Sequence, residues 1–318
     1  MSTNEPVNAE APFNDRKADM ILRSSDNVDF RTFKVLLSLA SPVFEDMFDL
    51  PQPGPDMNGE GMKDGLPVVS ISERSKVIEM MLKLLHPKCS LSLDSTDDIL
   101  EILEMSKKYD MEGVTERARD YARRVLPRVG ADDPIRAYVA ASRLGLDDEV
   151  TRAAGSSLRL SISDILDQTK VTELKYITGT QLQNLYNYHH KCGRAASALT
   201  SSNTWIPPYN TTPVIWFNNH AGCEQVGSIL AAPGNYGAKV WWVEYMRDSS
   251  AALESRPHSS TVMKPELVNT ALQKATACGT CRENVFRQLP AFLETYAAEV
   301  ERVVSEVRNV TSNTMMRY

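Results

Sequence analysis

The sequence predicts an α+β fold at the N-terminal end of the chain and a mainly helical remainder. Two short segments typical of β-strands, 20–22 and 28–30, are joined by a polar turn. Ser41-Pro42 follows, where Ser41 can cap a helix and Pro42 suits its first position. A third strand is expected at 67–71, and helices dominate after it.

Apolar residues at helical and strand spacing define a core for residues 16–126. The side chains expected inside it are Ile21, Leu36, Leu37, Phe44, Phe48, Val69, Met81, Leu82 and Ile102. The stretch 51–65 is rich in Pro and Gly and is expected to be a surface loop. Pro127 is expected to end the last helix of this region.

Two further regions follow. A helical hairpin begins at Asp133-Pro134, and one more helix is expected to end near Cys192. Between 193 and 213 the side chains are mostly small and polar, which favours a domain boundary there. The last third contains all four tryptophans and closes with a long amphipathic helix that includes Leu289, Phe292, Leu293, Tyr296, Val300, Val303, Val304 and Val307.

The composition is that of a folded protein without an obvious nucleic-acid or membrane partner. The 318 residues are 42% hydrophobic and carry a net charge of −6, a balance that favours neither nucleic acid nor an anionic membrane surface. We expect neither a membrane span nor a secretory signal, because no apolar run is long enough. A protein of the cytoplasm or nucleus, with its five cysteines reduced, is therefore expected.

The N-terminal segments together resemble a BTB/POZ domain, a protein-docking module. The residues that carry the resemblance are ADMILRSSDNVDFRTFKVLLSLASPVFEDMF, then PVVSI, then ILEMSKKYDMEGVTERARDYA. The resemblance implies a small sheet with clustered helices over 16–126, after a flexible N-terminus at 1–15. The hairpin that follows is similar to the helical extension called BACK or 3-box. The resemblance therefore implies a helical extension over 127–192. Residues 193–318 then form an α-rich C-terminal domain with Trp-rich loops.

The family resemblance also implies an interaction site. Asp19 and Lys34 match family positions that can form a charged pocket near the dimer interface. A simpler interpretation is that backbone amides satisfy Asp19. Because no apolar stripe precedes the first strand, where many self-associating members have a helix, we expect a monomer or a weak homodimer.

Two narrower resemblances concern partners and source. Some BTB proteins with a helical extension recruit cullin-type ubiquitin ligases, although the diagnostic contact motif after the fourth helix is not identifiable in this chain. The Pro/Gly insertion, the extension and the Trp- and Cys-bearing C-terminal region resemble BTB proteins of mushroom-forming, basidiomycete-type fungi.

Known catalytic motifs are missing from the sequence, and the cysteines are its remaining source of chemistry. There is no G-x-S-x-G, P-loop, G-x-G-x-x-G after a strand, or H-E-x-x-H. Cys278-Gly279-Thr280-Cys281 and His220-Ala221-Gly222-Cys223 each present two ligands across two small residues. Together they form a Cys3His set suited to one structural zinc ion, although 54 residues (positions 224–277) separate the pairs.

Alternatives to zinc remain open at this stage. His190 and Cys192 are substitute ligands, and the CxxC pair can equally be two ordinary thiols. A redox turn is a third alternative, although the segment before Cys278 has a helical pattern where such a turn needs a strand.

The sequence therefore predicts a non-catalytic protein-interaction module, a scaffold or adaptor that binds other proteins. The alternatives are a substrate adaptor of a cullin-type ubiquitin ligase and a redox or metal-dependent enzyme that uses the C-terminal cysteines.

Overall fold

The fold is α+β, as the sequence predicts. A computed structural model describes residues 5–50, 61–91, 93, 95–167, 174, 176–201, 205–206, 214–226 and 237–315, with the backbone alone for 311–315. The chain divides into two compact units. Unit 1 comprises Met1–Val129 and Arg143–Leu146, and unit 2 comprises Gly130–Ser142 and Asp147–Tyr318.

A five-stranded sheet forms the β part of unit 1. Its strands are β1 (Val7–Asn8), β2 (Met20–Arg23), β3 (Val28–Thr32), β4 (Met62–Lys63) and β5 (Leu66–Ser70), in the order β1-β3-β2-β5-β4. The central strand β2 pairs antiparallel with β3 and parallel with β5, so that Leu22 lies beside both Phe30 and Val69. The three predicted strands are present, with β1 and β4 added at the edges.

The N-terminal segment differs from the flexible segment expected over 1–15. Strand β1 pairs parallel with β3 through backbone hydrogen bonds from Val7 and Ala9. Phe13 is buried and packs edge-on against Phe30. A single large aromatic side chain therefore anchors a segment whose other residues are mostly polar.

The described helices of unit 1 are α1 (Lys34–Ala40), α2 (Pro42–Asp49), α3 (Ser75–Leu85), α4 (Thr96–Lys108) and α5 (Glu112–Asp132), the last three residues of which belong to unit 2. The helix start expected at Ser41-Pro42 is present, because the Ser41 hydroxyl accepts a hydrogen bond from the backbone N–H of Phe44. The same hydroxyl donates to the carbonyl of Tyr109, whose ring stacks on Phe44. One small side chain thus joins α2 to the end of α4.

The predicted core is largely correct. Ile21, Leu37, Phe44, Met81, Leu82 and Ile102 are buried. Leu36, Phe48 and Val69 are only half-buried. Residues 51–60 of the expected surface loop lie outside the described part of the chain, and β4 follows at 62–63.

The prediction that Pro127 ends the last helix of this region is wrong. Helix α5 continues through Pro127 to Asp132. Proline removes one N–H, which would have bonded to the carbonyl of Arg123. Both residues lie on the exposed face of α5, where water can bond to the freed carbonyl.

The described helices of unit 2 are α6 (Pro134–Leu144), α7 (Asp147–Ser157), α8 (Ile162–Leu166), α9 (Gly179–Ala198), α10 (Val240–Ser255), α11 (Pro265–Thr276) and α12 (Gly279–Met315), and the last two residues of α6 belong to unit 1. A short hairpin of β6 (Gln225–Val226) and β7 (Ala238–Lys239) accompanies them. The expected hairpin α6–α7 is present, and Gly145 between its helices has φ 65°, a conformation that favours glycine. Within the described residues, no helix is long and apolar enough to cross a membrane.

The tryptophans of unit 2 lie mainly in regular structure, which differs from the expected Trp-rich loops. Trp241 and Trp242 belong to α10, and Trp216 belongs to a 3-10 turn at Ile215–Phe217. The rings of Trp216 and Trp242 stack 6.1 Å apart, and Phe292 of α12 packs edge-on against both. This aromatic cluster forms the core beneath α10 and α12.

Helix α9 continues past the boundary expected at residue 193, to Ala198. Gly193 does not end the helix; instead it allows α9 to approach α10 closely. A Cβ atom at this position would lie 2.6 Å from the carbonyl oxygen of Glu254. The division of the chain at 126/127 and 192/193 stays a prediction, and both positions lie inside helices.

We expect Leu37→Ala to lower the free energy of unfolding by about 2–5 kcal/mol, because it leaves a cavity at a fully buried position. Leu39→Ala removes the same atoms from the same helix at a side chain that is 82% exposed, and should change stability by less than about 0.5 kcal/mol. Urea unfolding of the full chain, followed by far-UV circular dichroism, measures both. An unchanged midpoint for Leu37→Ala would contradict the core assignment.

Gly193→Ala should destabilise unit 2 by about 1–3 kcal/mol, since the added methyl group forces α9 and α10 apart. Gly179→Ala in the same helix meets no atom within 4 Å and should be neutral or slightly stabilising. Tryptophan emission reports the transition, because all four tryptophans lie in unit 2. A Gly193→Ala variant as stable as the wild type would show that the helices do not approach this closely.

Candidate functional site

The residues expected to form a charged pocket, Asp19 and Lys34, are neighbours but do not form an ion pair in the described structure. The Asp19 carboxylate accepts a hydrogen bond of 2.8 Å from the backbone N–H of Lys34, the first residue of α1. The Lys34 ammonium lies 5.6 Å from the centre of the Phe48 ring. This arrangement favours the simpler interpretation of Asp19 as a residue satisfied by a backbone amide.

An exposed apolar surface on the same helix pair was not predicted. We define the α1–α2 surface as Val35, Leu39 and Val43, whose exposed fractions are 57%, 82% and 38%. Single exposed apolar residues are common on proteins, but three on adjacent short helices make a candidate contact surface.

The structure brings His220, Cys223, Cys278 and Cys281 together in unit 2. One ligand atom from each lies within 4.8 Å of the other three. His220 and Cys223 lie in the turn between the 3-10 turn at Ile215–Phe217 and β6, where Gly222 has φ 81°. Cys278 directly precedes α12, and Cys281 lies in its first turn. Both cysteines of this second pair are buried.

The distances between donor atoms are close to those of a tetrahedral metal site. The sulfurs of Cys223 and Cys281 are 3.7 Å apart, and Cys281 Sγ lies 3.3 Å from His220 Nε2. A tetrahedron with Zn–S bonds of about 2.3 Å and a Zn–N bond of about 2.0 Å has edges of roughly 3.5–3.8 Å. The widest separation, 4.8 Å, exceeds the longest of these edges by about 1 Å. A side-chain movement of about 1 Å would bring all four donors within bonding distance of one ion.

Backbone amides at the start of α12 favour a thiolate at Cys278. Burial opposes ionisation of this thiol. The backbone N–H groups of Cys281 and Thr280, together with the thiols of Cys281 and Cys223, outweigh burial and hold the pKa of Cys278 below its ordinary value. A thiolate held at a helix N-terminus is the ligand form of cysteine.

The other two thiols favour protonation when no cation is present. Burial raises the pKa of Cys281 to about 12, and burial also raises the pKa of Cys223. Burial and the charge of Lys239 lower the pKa of His220, which favours the neutral imidazole that binds metals. Two protons would therefore leave the sulfurs when a divalent ion binds.

Three buried indole nitrogens of this region, those of Trp216, Trp241 and Trp242, lack a hydrogen-bond partner, and the one of Trp241 fits such an ion. The indole nitrogen of Trp241 is buried without a hydrogen bond to nitrogen or oxygen. It faces the sulfur of Cys281, whose ionised form its N–H favours. A metal-bound thiolate at Cys281 would accept this hydrogen bond and so satisfy the indole. The donor set and its surroundings are thus compatible with a structural metal.

The substitute ligands lie elsewhere. Cys192 is buried on α9, where burial raises its pKa to about 11, and His190 is exposed on the same helix. Neither belongs to the cluster. The segment before Cys278 is the helix α11, whereas a thioredoxin-like redox turn follows a strand. The sequence missed Trp241 because nothing in the pattern of a Trp-Trp pair connects it to a cysteine 40 positions away.

Comparison with known proteins identifies unit 1. Residues 11–125 match the family model of the BTB/POZ domain, and this part of the chain is a BTB/POZ domain. The matched region contains the strands β2–β5 and helices α1–α4 described above. A search of curated proteins found no match for the chain. BTB/POZ domains are protein-interaction modules, so protein binding is the function that this unit brings.

Proposed function

We propose that this chain is a non-catalytic scaffold or adaptor of the cytoplasm or nucleus that docks other proteins through its BTB/POZ domain. The single observation that carries the proposal is the domain match at residues 11–125. The α1–α2 surface supports it, because its exposed apolar side chains would leave water on contact with a partner. Five free cysteines agree with a reducing compartment.

The partner is a second copy of the chain or a different protein. The charged residue Lys34 begins the helix that carries Val35 and Leu39, so the contact proposed from Asp19 and Lys34 would adjoin the α1–α2 surface. A weak homodimer would use this face. A cullin-type ligase scaffold is the alternative partner, and it would make the chain a substrate adaptor.

The second part of the proposal concerns unit 2, where His220, Cys223, Cys278 and Cys281 would bind one structural zinc ion. Three thiolates and one imidazole are a ligand set that zinc prefers in closed, tetrahedral sites. The ion would join the turn at 220–223 to the start of α12, and its binding energy would contribute to the folding of unit 2. A metal-dependent enzyme would instead need an open coordination position, and a redox enzyme would need an accessible, reactive thiolate.

A charged residue in the α1–α2 surface should abolish partner binding. We expect Leu39→Asp to fold normally, since the side chain is exposed, and to lose the proteins that dock on this face. Phe286→Asp is the control, because it places the same charge at an apolar side chain of α12 that is 60% exposed. Tagged full-length variants are compared in extracts of the native cells by quantitative mass spectrometry.

The identity of the proteins that Leu39→Asp no longer recovers distinguishes the homodimer from the ligase adaptor. Loss of the untagged chain itself indicates self-association, and loss of cullin-type subunits indicates the ligase adaptor. If Leu39→Asp and Phe286→Asp recover the same proteins in the same amounts, the proposed docking face is wrong.

Metal analysis should find about one zinc ion per purified chain. Cys278→Ser should lose the ion and melt at a lower temperature in tryptophan emission, because the metal no longer stabilises unit 2. Cys89→Ser is the matched control, since Cys89 lies in unit 1, outside the cluster. A metal-free protein whose melting curve is unchanged by a chelator would leave these residues as ordinary thiols.

A further inference from the structure

Lys239 is a completely buried lysine in unit 2. Its side chain is 0% exposed, although lysine is rarely found fully buried without a charged partner. It ends strand β7 and directly precedes α10. Within the described residues, its ammonium forms no ion pair with a carboxylate. An ammonium held away from water needs a negative charge nearby.

The ammonium of Lys239 contacts the turn that carries His220 and Cys223. Lys239 Nζ donates to the carbonyl oxygen of His220 at 3.4 Å. Lys239 also pairs with Gln225 across the β6–β7 hairpin, two residues after Cys223. The hairpin therefore holds the lysine beside the turn that carries two of the four donors.

Charge counting explains why a cation belongs there. A divalent ion bound by three thiolates and one neutral imidazole carries a net charge of −1. One ammonium beside it makes the whole group neutral, which removes the large cost of a buried net charge. In the same surroundings, a site with two thiolates and two imidazoles would be neutral without the lysine.

We infer that Lys239 is the built-in counter-charge of the metal centre, a positioning residue that adapts this site to three thiolates rather than two. The inference rests on the proposed zinc site. Lys239 does not touch the ion; it acts on the sulfurs through its charge. The ligand class is thereby narrowed to a divalent cation that accepts three thiolates, of which zinc is the best match.

A double-mutant cycle tests the inference on the full chain. The four proteins are the wild type, Lys239→Met, Cys223→His and the double variant. Zinc affinity is measured by competition with a chromogenic chelator, and the visible absorption of bound Co²⁺ reports how many thiolates ligate. Circular dichroism of the metal-free proteins checks folding, which methionine should preserve because it fills similar space without a charge.

The expected result is a change whose direction depends on the ligand set. With three thiolates, Lys239→Met should weaken zinc binding by about tenfold or more, in the range found for groups that support metal ligands. With Cys223→His, the same substitution should leave binding unchanged or strengthen it, because the lysine now adds an unbalanced positive charge. A purely structural role of Lys239 would weaken both sites equally, and that outcome overturns the inference.

Further variants keep the test decisive. If Cys223→His binds no cobalt, Lys239→Arg takes its place: retained affinity with arginine and loss with methionine support the counter-charge, and equal losses overturn it. If Lys239→Met does not fold, Lys239→Gln is the neutral variant. A wild-type chain that binds zinc with an affinity insensitive to Lys239 overturns this inference alone, whereas a chain that binds no zinc overturns the zinc site as well.

Discussion

The close approach of four donor atoms is the constraint on which the C-terminal unit depends. Two segments that lie far apart in the sequence meet where Cys223 and Cys281 place their sulfurs 3.7 Å apart. Three thiols and an imidazole within 4.8 Å of one another could not all take their ligand forms without a cation, because three thiolates at this distance would repel each other strongly. The metal proposal therefore gives a reason for the positions of these side chains.

The surroundings of the cluster fit the same explanation. The indole of Trp241, on α10, faces the sulfur of Cys281. Lys239, the residue just before α10, would supply a positive charge. The aromatic cluster of Trp216, Trp242 and Phe292 packs α10 against α12. The ligands, the supporting donor and the aromatic core thus belong to the same few elements, so that ion binding and folding of unit 2 would be coupled.

Local sequence patterns predicted those features that depend on interactions between residues close together in the chain. The Ser41-Pro42 helix start, the hairpin α6–α7 and the two ligand pairs each follow from a few adjacent residues. The meeting of the pairs was predictable only from the complementarity of their chemistry. The burial of Lys239 was not predictable. It arises from a hairpin of two-residue strands, which are too short to show an alternating pattern in the sequence.

The wrong predictions share a cause, which is that one residue type can serve opposite purposes. Proline usually ends a helix, but Pro127 lies on an exposed face of α5, where water can bond to the freed carbonyl. Gly193 follows the helix end expected near Cys192, but it lies within α9 and permits a close helix crossing. Only tertiary contacts distinguish these uses, and they also decide which apolar residues of α1 and α2 remain exposed.

X-ray absorption at the zinc edge of the purified full chain would test the central claim most directly, because it reports the atoms bound to the ion. Our account predicts about three sulfur neighbours near 2.3 Å and one nitrogen near 2.0–2.1 Å per zinc. A protein without zinc, or zinc surrounded by oxygen and nitrogen alone, would contradict it.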